Sequence, residues 1–296
     1  MAKSPLVTKF EKLKSIRSRQ AFCPVANLRA VVTPLTVSDD LSLKTMVTSP
    51  DLYDRQMSIL LYNHTEFPDI AGPKPSFDQF ISLISDFDKK SLLFAIYDAT
   101  YGTLGSTKIT CPKPDCRHTS EVVINAKDLL QPDTIKAVWD KPTVFQDYSI
   151  AVDIPLGDTS GSGISRIVFN MAIPTIKTHL DTLKLISIDD LKDNFDKTNS
   201  IVSKTEELVM LTKSISIYGE DELVPDDTVT SQFEMHTIVQ NYISLDVVGI
   251  VIDAFDKEFS MYNPEFKKSL KCSNCGHNFD LPVDIEVALY RSFLRL

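Results

Sequence analysis

Four of the five cysteines in this chain fall into two spaced pairs, Cys111-Pro-Lys-Pro-Asp-Cys116 and Cys272-Ser-Asn-Cys275. Each pair is followed two residues later by a histidine, His118 and His277. Thiolates at this spacing suit a metal ion. Zinc takes four sulfur or nitrogen ligands in a tetrahedron, and a short Cys-x2–4-Cys turn supplies one edge of it. Two such turns complete the figure. Cys272 and Cys275 have the usual two-residue gap, and Cys111 and Cys116 lie at the upper end of the range. Pro112 and Pro114 stiffen the longer turn, and Gly276 permits a left-handed residue just past the second ligand. The spacing therefore predicts that Cys111, Cys116, Cys272 and Cys275 ligate one structural zinc ion, with iron in the same sulfur set left open. A histidine two residues after a cysteine is a poor chelating partner for the same ion, so His118 and His277 read as supporting or surface residues.

Other readings of the cysteines compete. The pairs would also suit unligated buried thiols. Cys272 and Cys275 lack the strand-CxxC-helix setting of a thioredoxin-like redox pair. Two separate sites using His118 and His277 would each need further ligands, and none is near in sequence. Cys23 stands alone and reads as core.

Catalytic patterns are missing. The chain has no H-E-x-x-H, and it has no His-x-Glu with a following Pro-Cys-x-x-Cys. The stretch Gly157-Asp-Thr-Ser-Gly-Ser-Gly163 has neither the G-x-S-x-G elbow of a serine hydrolase nor the Gly-Lys-Ser/Thr ending of a phosphate loop. It reads as a linker or hairpin tip. The five histidines form no cluster in sequence. The expectation is a protein that is not an enzyme.

The elements that must hold these residues come from a chain of 296 residues, long enough for one elaborate domain or two modest ones. No apolar run reaches the length of a membrane span, and the start lacks the apolar core of a signal peptide. A secreted, disulfide-stapled chain is not expected, and in a reducing compartment paired cysteines mean metal more often than disulfide. The net charge of −9 argues against the whole chain binding nucleic acid through its phosphates. Lys3, Lys9, Lys12, Lys14, Arg17 and Arg19 nevertheless make a basic start. That start reads equally as an arm for an acidic partner or as a solvated terminus.

Asn27–Thr33 reads as a strand stopped by Pro34. Ser38-Asp-Asp-Leu41 reads as a helix start, and Pro50 as the first residue of another helix. Ser76 with Gln79 fits a capping box, and Ser85 to Asp88 fits a second cap before a helix ending at Gly102. Glu121–Asn125 and Tyr148–Pro155 read as strands, residues 164–198 as partly helical, and Lys204–Lys213 as a helix. The last third repeats the order of the Ser76 unit. Ser231 and Glu234 fit a capping box. Val247–Phe255 reads as a strongly buried helix. A cysteine pair and the alternating residues Phe279, Leu281, Val283, Ile285 and Val287 follow. An offset of 155 residues sets Ser76 on Ser231 and Asp98-Ala99 on Asp253-Ala254. The expected class is α+β, mainly helical, with small β-sheet or zinc-ribbon-like knuckles and an internal pseudo-repeat. The expected organisation is a basic arm over residues 1–25 and a helical module over 26–147 with the first knuckle. A second module over 148–296 carries the other knuckle, and one ion joins the two.

In the order and spacing of its motifs, the chain resembles baseplate hub and hub-assembly proteins of T-even-like contractile-tailed bacteriophages. Three stretches carry the likeness: Pro34–Leu43; Ser91–Tyr97 running to Gly102, Cys111, Cys116 and Val122–Asn125; and Val247–Phe255 with Pro264 and Leu270–His277. Residues 157–200 match nothing. The resemblance implies a structural or assembly protein at the tail tip without enzymatic activity, located in the virion baseplate or in the host cytoplasm during assembly. Its implied partners are other tail and baseplate proteins, and a homo-oligomer is open. The cysteines alone carry over, as metal ligands. The alternative is a zinc-ribbon protein that binds nucleic acid or associates with transcription, in which Arg117 and Lys271 flank the knuckles.

Overall fold

Short polar caps set where the helices begin. Ser76 and Gln79 form a reciprocal capping box, and so do Ser85 and Asp88. Each box satisfies backbone donors that the first turn of a helix leaves unpaired. Thr36, rather than Ser38, caps the first helix: its backbone N–H donates to Asp39 Oδ2 at 2.6 Å, and its hydroxyl accepts from the Asp39 N–H at 3.4 Å.

A computed structural model describes residues 16–46, 50–129, 148–156, 163–185, 204–219 and 223–283, together with residues 12 and 285. The chain opens with β1 (Arg19–Cys23), β2 (Leu28–Val32), α1 (Val37–Met46), α2 (Pro50–His64) and β3 (Thr65–Glu66). Then come α3 (Phe77–Leu83), α4 (Asp86–Thr100), β4 (Thr103–Thr110) and β5 (Thr119–Asn125). The middle holds β6 (Ile150–Pro155), β7 (Ile164–Met171), α5 (Ile176–Leu183), α6 (Lys204–Leu211), β8 (Thr212–Gly219) and β9 (Asp227–Val229). The last part is α7 (Gln232–Tyr242), α8 (Leu245–Phe259), β10 (Lys267–Lys271) and β11 (Asn278–Pro282). The sheets are antiparallel: β1-β2-β3, β4-β5, β6-β7-β8-β9 and β10-β11. The class is α+β. Helix takes 43% and strand 29% of the structure, so it is mixed rather than mainly helical.

Two hydrophobic cores organise these elements. The first gathers Leu61, Phe80, Leu92, Leu93 and Ile96 around β1 and β2, where Cys23 is fully buried. The second gathers Phe169, Met171, Leu208, Val251, Phe255 and Phe259. The hairpin β10-β11 follows the second core in sequence but packs on the first, through Phe266, Leu281 and Val283. Phe266 stacks on Phe94 of α4 with ring centroids 4.6 Å apart. Of the expected basic arm, residues 19–25 belong to the folded body, and Cys23 and Val25 are buried. Residues 1–11 and 13–15 lie outside the described residues, as do most of the Gly157–Gly163 loop, residues 186–198 and Val287.

The two helix pairs correspond more closely in structure than the 155-residue offset implies. Helix α7 has 11 residues and α3 has 7, one helical turn fewer. Beyond that turn the offset becomes 159. It then sets Ser85 on Ser244, buried Leu92, Leu93 and Ile96 on buried Val251, Ile252 and Phe255, and Cys116 and His118 on Cys275 and His277. Two expectations change. Ser231 caps α7 by position only, because its side chain makes no capping bond. Helix α8 buries one face and leaves Ile250 exposed, so it is amphipathic rather than buried all round.

Buried charges bind the helices of the first core. Asp88 accepts from the backbone N–H groups of Val25, Ala26 and Ser85 and from the Ser85 hydroxyl, at 2.9 to 3.2 Å. Burial raises its carboxyl to about 6 against those bonds. His179 on α5 lies between Asp86 of α4 at 3.2 Å and Asp54 of α2 at 3.7 Å. Burial opposes its charge, but Asp86 and Asp54 outweigh that and lift it to about 10. The unfolded histidine titrates near 6.5, so folding favours the protonated form. This contribution is complete below pH about 6.5 and fades as the pH rises toward about 10. Urea midpoints should fall between pH 6.5 and 9 in the parent protein. His179→Gln should be less stable at pH 6 and show a shallower fall; an unchanged slope would contradict the assignment.

Candidate metal centre

The two knuckles are the tips of two β-hairpins. Strands β4 and β5 pair from Thr103–Asn125 to Thr110–Thr119, which places Cys111 and Cys116 just past the last pair. Strands β10 and β11 pair from Lys267–Pro282 to Lys271–Asn278, which places Cys272 and Cys275 in the same way. In each tip the first cysteine donates its N–H to the carbonyl of the histidine, Cys111 to His118 and Cys272 to His277, both at 2.9 Å. The residue after the second cysteine is left-handed in both: Arg117 at φ 43° and Gly276 at φ 69°. Glycine takes that conformation freely, whereas arginine costs about 1–2 kcal/mol.

The four sulfurs meet across these tips. All lie within 4.8 Å of one another, with Cys111 and Cys272 buried, Cys116 half-buried and Cys275 exposed. The contacts Cys111–Cys275 and Cys116–Cys272 measure 3.8 and 3.7 Å. Those distances are far beyond a disulfide of about 2.05 Å. They match the edge of a tetrahedron with metal–sulfur bonds of about 2.3 Å, which is about 3.8 Å. The sulfurs that the sequence pairs as ligands are therefore placed together and could hold a metal ion.

Backbone N–H groups prepare the cluster for negative charge. The group two residues past each cysteine acts on its sulfur: Lys113 on Cys111, His118 on Cys116 and His277 on Cys275, while Cys272 is lowered first by the Cys275 N–H and then by that of Asn274. The histidines thus serve through their backbone atoms, while their side chains are exposed. The Asn274 side-chain amide reaches across to Cys116 at 3.4 Å. That bond, with the His118 N–H, lowers the Cys116 thiol to about 6. Burial and the three neighbouring sulfurs push Cys111 up to about 12. One thiolate forms readily in such a cluster and the last resists, because four negative sulfurs this close repel without a cation.

Sequence reasoning did not single out Asn274, nor the tie made by Lys268. Lys268 Nζ on β10 donates to the Val123 carbonyl at 3.0 Å and to Asp128 at 2.8 Å, so it joins the hairpins below the knuckles. Lys268, with Asn125, holds the Asp128 carboxyl down at about 2. No motif marks such a pair, because its partners are 140 residues apart.

No family model, curated protein or solved structure matches this chain.

Elemental analysis should find one transition-metal ion per chain, and Cys111→Ser or Cys272→Ser should each remove that same ion. Two ions, or loss of different ions from the two variants, would rule out a shared site. Thiolate ligands must shed protons to bind, so occupancy should fall as the pH is lowered.

Proposed function

We propose that the four cysteines bind one structural zinc ion and that the protein is a non-enzymatic subunit or assembly factor of a contractile phage tail baseplate, in its hub region. The observation that carries the metal reading is the cluster of four sulfurs within 4.8 Å of one another, built from hairpins more than 150 residues apart in the chain. A four-thiolate site offers no open position for substrate or water, which suits a structural ion rather than a catalytic one. Iron in the same ligands would colour the protein, and zinc would not.

The tail role is supported by the resemblance of the stretches around Pro34–Leu43, Ser91–Asn125 and Val247–His277. In this reading the ion closes the chain on itself and leaves the outer surfaces for contacts with other baseplate proteins. A second reading draws on exposed Lys113, Arg117 and Lys271 around the knuckles, which a nucleic-acid-binding zinc ribbon would use.

Structural zinc in small fingers is worth about 10–16 kcal/mol, so a strong chelator should release the β10-β11 hairpin and lower the melting temperature sharply. A colourless, chelator-sensitive protein carrying one zinc is the expected result. Mass spectrometry of purified tails and assembly intermediates tests the role: complete absence from both would refute it. Salt-dependent binding of nucleic acid at physiological ionic strength would favour the ribbon reading.

A further inference from the structure

The four sulfurs differ in what can reach them. Cys275 is exposed and Cys116 is half-buried, while Cys111 and Cys272 are buried. Their close contacts pair unlike with unlike. Exposed Cys275 meets buried Cys111 at 3.8 Å, and half-buried Cys116 meets buried Cys272 at 3.7 Å. Both contacts run from one hairpin to the other, between residues 164 and 156 positions apart. Each sets a sulfur open to solvent against a covered one. Disulfide formation by a small oxidant needs this arrangement: an accessible sulfur is oxidised, and a neighbour within reach resolves it.

Bonds that do not involve sulfur keep the partners in reach. Each tip is closed by backbone bonds: the Cys111 N–H donates to the His118 carbonyl, the Cys272 N–H to the His277 carbonyl and the Gly276 N–H to the Cys272 carbonyl, all at 2.9 Å. Lys268 ties β10 to the Val123 carbonyl and to Asp128, and Phe266 stacks on Phe94. A change in the state of the sulfurs leaves all of these bonds in place. The tips therefore face each other whether or not an ion lies between them, and closing each pair to a disulfide of about 2.05 Å asks for only a small movement.

We infer that Cys275 is a site of modification by peroxide with Cys111 as its resolving partner, that Cys116 and Cys272 form a second such pair, and that oxidation thereby replaces the metal joint between the hairpins with two disulfides that cross it. This deepens the reading of the cluster as a metal centre and rests on it only for the ion that is displaced. Hydrogen peroxide is the oxidant. The Cys275 thiolate attacks it, the O–O bond breaks, hydroxide leaves, and the sulfur becomes a sulfenic acid. The Cys111 thiolate attacks that sulfur: the S–S bond forms, the S–O bond breaks, and a second hydroxide leaves. Each hydroxide takes a proton from solvent, so two thiolates, two protons and one peroxide give one disulfide and two waters. A second peroxide closes Cys116 on Cys272. Disulfide sulfurs no longer carry the charge that holds a cation, so the site empties while the hairpins stay joined.

The test adds hydrogen peroxide to the full metal-loaded chain, maps disulfides by peptide mass spectrometry without reduction, and follows released metal with a chromogenic chelator. The Cys111–Cys275 linkage should appear first and Cys116–Cys272 second, with metal released alongside. Cys23, which is fully buried, should remain a thiol. The oxidised chain should melt above the reduced, metal-free chain, because its hairpins are still tied across a long loop. Cys275→Ser should lose the first linkage. Linkages within the hairpins, Cys111–Cys116 and Cys272–Cys275, would overturn the inference, as would first oxidation at Cys116 or the absence of any disulfide. A chain that carries no metal would refute the metal reading alone, since the same mapping on the reduced chain still decides the pairing.

Discussion

Four sulfurs held within 4.8 Å of one another set the terms for the rest of this molecule. Brought together as thiolates they repel, and kept as thiols they give up most of the bonding that such closeness offers. A divalent cation, which these four sulfurs could hold, would resolve the conflict. The backbone N–H groups two residues past each cysteine and the Asn274 amide spread the remaining negative charge. Cys116 and Cys272 are 156 residues apart, so an ion joining them closes a very long loop. A covalent cross-link of that span removes about 5 kcal/mol of unfolded-chain entropy by the loop-closure estimate. The cluster is therefore a long-range restraint as much as a ligand set.

The path of the last hairpin brings its two cysteines to the other pair. Strands β10 and β11 leave the second core, cross to the first, stack Phe266 on Phe94 and place Lys268 on Asp128. Apolar packing, the ion pair and the sulfur cluster all act on the same two hairpins. The crossing gives the two helix pairs different surroundings. Helix α4 lies in the first core with nearly all its faces covered, while α8 covers one face. Equivalent elements of one chain thus differ in exposure.

Much of the local structure was legible in residues. The capping pairs Ser76–Gln79 and Ser85–Asp88 form as written, Pro50 opens α2, and Gly102 and Gly276 take left-handed backbones where a stop and a turn require them. Other features were hidden. Ser231 looks like a cap but makes no capping bond, since position alone does not orient a hydroxyl. The apolar run Val247–Phe255 suggested a strongly buried helix; one face is buried and Ile250 is exposed, because hydropathy states what burial would favour and not whether a neighbour is present. The true offset of 159 was masked by one extra turn in α7.

The sequence by itself determined the chemistry of the centre. Thiolate type and Cys-x2–4-Cys spacing are local, and they suit a tetrahedral soft-metal site wherever the turns end up. Local signals also marked several helix starts and the strands Leu28–Val32, Thr119–Asn125 and Ile150–Pro155, but not β1 or β7. The spacing already assigned the two half-sites to one centre; only the tertiary structure decided that Asn274 and Lys268 support the joint. It alone decided that Thr175 bridges Ser85 at the turn between α3 and α4. Those outcomes depend on contacts between residues 140 or more positions apart, or on whether one helix pair finds a neighbour. No spacing rule along the chain encodes them, because they follow from how whole elements compete to bury their apolar faces.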